Sequence, residues 1–88
     1  LELKKYIAKN VKYPEDARKE MLQDKVILRF SISGDGEVFD IKIVEGKYDI
    51  LNNEAKRVVS DMPVWTIPKD LNKDESYQYT LPINFKLK

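Results

Sequence analysis

The chain of 88 residues allows one domain with a modest core, and 16 basic against 15 acidic side chains, net +1, give no electrostatic reason to expect a nucleic acid or an anionic membrane as partner. The absence of cysteine excludes disulfides and thiolate metal sites, and the absence of histidine removes the commonest general base and metal ligand. No apolar run approaches the ~20 residues of a membrane span or resembles a signal-peptide core, and because the chain starts at Leu1 we expect a fragment or processed chain with any anchor upstream.

In "LELKKYIAKN", Leu3, Tyr6 and Ile7 share a helical face, which predicts a short amphipathic helix ending near Asn10. Pro14 suits a first helical position, Glu15 and Asp16 suit the positive end of the dipole, and Arg18 and Lys19 its negative end. A second helix is predicted over 14–22, with Ala17, Met21 and Leu22 facing the core. "KVILRFSISGDGEVFDIKIVE" reads as a β-hairpin, with Gly34-Asp35-Gly36 supplying the positive-φ residues of a tight turn. Strict alternation places Val26, Leu28, Phe30 and Ile32 on the helix-covered face together with Phe39, Ile41 and Ile43.

Leu51, Ala55, Val58, Val59 and Met62 then follow the spacing of a helix packed on a sheet, with Asp49 as the expected N-cap and Pro63 as the stop. An irregular segment with Trp65, Pro68 and Lys69 to Glu75 follows, and Trp65 reads as a core plug. The last element, "YQYTLPINFKLK", alternates without a fault and yet contains Pro82. Proline has no N–H for a sheet ladder, so Pro82 marks an edge strand whose even residues turn their backbone groups outward. The order α-α-β-β-α-β is that of an α+β domain with helices on one face of a three-stranded antiparallel sheet and the last strand at an edge; residues 1–88 form one domain. Such an edge is a liability to be guarded or a docking surface.

Catalysis finds no support. Ser31, Ser33, Ser60 and Ser76 lack a histidine partner, and Asp35, Glu37 and Asp40 read as a solvated turn, since their spacing is not that of a calcium loop. The turn glycines are hairpin glycines, not a phosphate loop, so no catalytic, cofactor-binding or metal-binding residue is expected. Tyr77, Tyr79 and Phe85 could form a base-stacking platform, but they share a face with Leu81, Ile83 and Leu87 and read as core; no nucleic acid is expected.

Taken together, Tyr13-Pro14, Ala17, Lys25-Val26, Asp35-Gly36, Met62-Pro63-Val64-Trp65 and the strand Thr80 to Phe85 follow one another in an order that resembles the C-terminal domain of TonB-type energy transducers. The likeness runs from about residue 6 to the end; Asp24 stands where the family usually has glycine, and "TIPKDLNKDESYQ" replaces a basic Pro-Gly-Lys-rich loop. The resemblance implies a periplasmic domain anchored to the inner membrane by a segment upstream, coupled to an ExbB–ExbD motor. It implies as partner the Ton box of outer-membrane TonB-dependent transporters, added as a strand to the last strand. The partner-binding residues are then Gln78, Tyr79, Thr80, Leu81, Pro82, Ile83, Asn84, Phe85 and Lys86, with Asn10, Val11 and Lys12 beside the docked strand. A homodimer through the same free edge is a further expectation. The alternative is the same fold serving as an interaction domain of a membrane signalling protease or receptor.

Overall fold

The computed structural model describes residues 3–64 and 75–87. The expectations for Trp65 and for the segment up to residue 74 lie outside the described residues. In chain order the elements are α1 (Leu3–Asn10), α2 (Glu15–Lys19), β1 (Asp24–Ile32), β2 (Val38–Glu45), α3 (Asp49–Ser60) and β3 (Tyr77–Phe85). The sheet is antiparallel with order β2-β1-β3, so the first strand is central and the last lies at an edge, as the proline predicts.

The core forms where β1 meets α3. Val26, Leu28, Phe30 and Ile32 on one face of β1 and Leu51, Ala55, Val58 and Val59 on α3 are all within 1% of complete burial. At about 1.5–3 kcal/mol for each large apolar side chain, this interface supplies most of the hydrophobic stabilisation. Leu81, Ile83 and Phe85 extend the core onto β3, and the Tyr13 ring meets Phe85 edge-on at 5.8 Å while its hydroxyl donates to the Leu22 carbonyl. By contrast α1 buries only Ile7, aided by a hydrogen bond from the Tyr6 hydroxyl to Val58 O at 3.1 Å. Eight residues are too few to hold a helix in water unaided, so α1 depends on these few contacts.

The hairpin turn differs in detail from its expectation. Gly36 N–H donates to Ser33 O and Ser33 N–H to Glu37 O, both at 2.9 Å, which is a three-residue loop closed by a left-handed residue. Only Gly36, at φ 90°, needs positive φ; Gly34 does not.

A β-bulge in β2 overturns the placement of Phe39. Leu28 pairs with Ile43 and Ser31 with Phe39, so the single residue Phe30 is opposed by both Asp40 and Ile41, and Val44 is a second extra residue. Asp40 takes φ 54°, a left-handed conformation that aspartate tolerates better than most residues. The added residue inverts the parity of the strand. Val38 therefore packs against the core, whereas Phe39 shares the outer face with Ser31 and is 45% exposed. Ile41 and Ile43 are half-buried against the core as expected.

The second helix is shorter than the predicted 14–22. It ends at Lys19 in a Schellman motif, with Leu22 N–H donating to Ala17 O and Met21 N–H to Arg18 O. Met21 occupies the left-handed position at φ 57°, which glycine usually fills, and it is 73% exposed instead of facing the core; Ala17 is buried and Leu22 half-buried. Because Met21 buries little, Met21→Gly should relieve more strain than it adds unfolded-state entropy, raising stability by roughly 0.5–1 kcal/mol in a urea melt. A loss of stability would mean that the Met21 side chain carries packing of its own. At the start of α3, Tyr48 rather than Asp49 is the capping residue, its carbonyl accepting from Leu51 and Asn52 N–H, and Asp49 opens the first turn.

Candidate functional site: the outer edge of β3

The nine residues of β1 pair with those of β3 without a register shift, Ile27 opposite Pro82. Ser33 N–H points across to Glu37 O, so the odd residues of β1 turn their backbone groups toward β2 and the even ones toward β3. Val26 and Leu28 therefore bond to Ile83 and Leu81, while Pro82 sits in a pair that exchanges no hydrogen bonds. Leu87 N–H, donating to Gln23 Oε1 at 2.9 Å, shows the same inward direction for odd residues beyond the strand end. Pro82 costs no ladder bond at this position. The N–H groups of Gln78, Thr80 and Asn84, and the carbonyls of these residues and Pro82, face outward.

The expected docking residues divide by parity. Leu81, Ile83 and Phe85 are buried and committed to the core, and Tyr79 leans over Phe30 with rings stacked at 5.9 Å while staying 42% exposed. Gln78, Thr80, Pro82, Asn84 and Lys86 are exposed. Beside the edge lies a groove of about 240 Å³, walled by Lys4, Ile7, Ala8 and Val11 on the α1 side and by Leu81, Pro82, Ile83 and Asn84 on the strand side. Val11 thus meets the strand residues across this groove.

Asn10 and Lys12 are held from behind by α3. Glu54 Oε2 accepts from Lys12 N–H at 2.6 Å, and Arg57 donates to Asn10 O at 3.0 Å, to both Glu54 oxygens and to Asp61 Oδ2. Burial pushes the Glu54 carboxyl up, but hydrogen bonds from Arg57 and Lys12, with their charges, outweigh it and hold the group below its ordinary value of 4.5. The same contacts, led by the Glu54 hydrogen bond, push the Arg57 guanidinium further up, so it stays charged. A depressed folded-state pKa means that the stabilisation by Glu54 is complete above the ordinary carboxylate value and is lost as pH falls through the folded-state value. Glu54→Gln should therefore be less stable at neutral pH, lose less stability than the parent on acidification below about pH 4.5, and expose the Lys12 amide to faster hydrogen exchange. An acid limb that superimposes on the parent's would show that Glu54 is not the group responsible.

The sequence model of the Gram-negative bacterial TonB protein C-terminal family matches residues 9–87, nearly the whole chain. The chain belongs to the TonB C-terminal family. It is 32% identical over 83 residues to Protein TonB of Helicobacter pylori (strain J99), an alignment that covers 93% of this chain but only 28% of that protein. Its fold is similar to two solution structures of the H. pylori TonB C-terminal domain. Both comparisons cover 98% of this chain; one has a TM-score of 0.74 at 30% identity over 78% of that structure, the other 0.67 at 27% over 90%. TonB is a non-enzymatic energy transducer, and membership of its family places this chain among non-catalytic proteins.

Within the TonB-type domain, the sequence reading missed the groove walls Lys4, Ile7 and Ala8 and the Glu54–Arg57 clamp. Glu54, Arg57 and Asp61 stand at helical i, i+3 and i+7 spacing, which reads as an ordinary solvated face. Nothing in that spacing announces that the face holds residues 10–12.

Proposed function

We propose that this domain is the periplasmic end of a TonB energy transducer and that it binds the Ton box of an outer-membrane transporter by strand addition to β3. The outward row of backbone groups on Gln78, Thr80, Pro82 and Asn84, unpaired among the described residues, supports this most directly, because it is a template for a fourth strand. Proton-motive-force energy reaches the domain from an ExbB–ExbD motor through parts of the protein outside this chain, with an inner-membrane anchor among them. Three donors and four acceptors at a net ~1 kcal/mol each amount to roughly 7 kcal/mol, before the cost of ordering a peptide is subtracted. Side-chain contacts must therefore contribute to any micromolar affinity. Such a joint forms and releases readily, while its parallel bonds share a pulling load.

Amide chemical-shift mapping with a Ton-box peptide tests the proposal. Shifts should concentrate on Gln78 to Lys86 and extend to Asn10, Val11 and Lys12. Shifts confined to β2 or to the outer face of α3, with β3 unmoved, would refute it. A second copy pairing through the same edge is the competing occupant; it would make the β3 shifts depend on protein concentration in the absence of peptide.

A further inference from the structure

Val11 stands beside β3, and among the described residues nothing from α3 lines the groove between them. The neighbours of Val11 are nevertheless tied to α3 on both sides. Asn10 O accepts from Arg57 at 3.0 Å, and Lys12 N–H donates to Glu54 Oε2 at 2.6 Å. Arg57 also holds both Glu54 oxygens and Asp61 Oδ2, so the two anchors belong to one network. All these bonds lie at the surface, where water would satisfy the same backbone groups and where exposed ion pairs add little to folding stability. What they supply is a fixed conformation for residues 10–12.

We propose that Glu54 and Arg57 are positioning residues of the docking edge, a role that rests on the strand-addition reading above. They hold Asn10, Val11 and Lys12 in the conformation that an added strand meets, and so raise its affinity without touching it. Without this clamp the partner must order the segment as it binds. Fixing the backbone of a single residue corresponds to a factor of roughly 5–30 in an equilibrium constant, so one freed residue is already a measurable loss. The loss reaches the partner as a population: apparent affinity falls with the fraction of molecules whose segment is in place.

Calorimetry with a Ton-box peptide on the parent, Glu54→Ala, Arg57→Ala and the double variant reads the effect. Each single variant should bind about tenfold more weakly. The double variant should bind no more weakly than the worse single one, because the two side chains act as a unit. Arg57→Lys, which keeps the charge and loses the fork, should fall between parent and Arg57→Ala. Backbone order parameters add a readout that a merely structural role would not move. In the Ala variants residues 10–12 should be mobile when free and ordered when bound, whereas in the parent they should be ordered in both states. Ile32→Val controls for lost stability: it trims the core on β1 and should bind like the parent. Parent-like affinity in both Ala variants, with β3 shifts present, overturns the positioning role and leaves strand addition standing. A segment that stays ordered in the free Ala variants overturns it as well. No β3 shift in the parent itself overturns both readings.

Discussion

Phe30→Ala is expected to cost about 3–5 kcal/mol, the range for removing a large aromatic from a core that cannot collapse around the gap. Phe30 is fully buried on the central strand, in the core that α3 covers, and stacked on Tyr79 at 5.9 Å. A domain of this size has only ~5–15 kcal/mol in total, so the loss should lower the melting temperature by roughly 15–30 °C. Phe39→Ala is the matched control: it removes the same side chain from the same hairpin, but from the outer face, where the ring is 45% exposed. That change should cost less than about 1 kcal/mol. Urea melts of the two variants thus test the bulge at Asp40 directly. Equal losses would mean that the alternation runs through β2 unbroken and that both rings face the helices.

Thr80→Pro is expected to weaken a Ton-box peptide by tenfold or more while changing folding stability by less than about 1 kcal/mol. Thr80 pairs with Arg29, two residues from Pro82, so its N–H turns outward as the missing donor of Pro82 would. Proline at this position removes an edge donor and spares every bond to β1, and the extended backbone on either side suits its fixed φ. Thr80→Val keeps the N–H and the branched shape, so it should bind like the parent and separate backbone from side-chain effects. Titration calorimetry on the three proteins gives the answer. Undiminished affinity of the proline variant would be incompatible with strand addition at this edge.

The position of β3 was legible before any coordinates because two local signals agreed. Unbroken alternation from Tyr77 to Leu87 required a strand with one buried face, and Pro82 required that strand to lie at an edge. The burial of Val26, Leu28, Phe30 and Ile32, the β-hairpin and the order of the elements were equally local, resting on period-two and period-3.6 patterns. Where local pattern and tertiary demand diverged, pattern failed. Phe39 continues an alternation with Ile41 and Ile43, but the sheet inserts Asp40 as an extra residue opposite Phe30, and no property of those side chains in isolation reveals the slip. Met21 sits at helical spacing from Ala17, yet the chain must leave α2 after Lys19 for β1 to begin, and its exit turn points Met21 to solvent. The groove and its clamp depend on distance in the chain. Ala8 faces Ile83, and Arg57 reaches Asn10 across 47 positions, because α1 and α3 lie on the same face of the sheet. Residue types and spacing specify each element, but which exposed residues become neighbours follows only when the elements pack on one shared core.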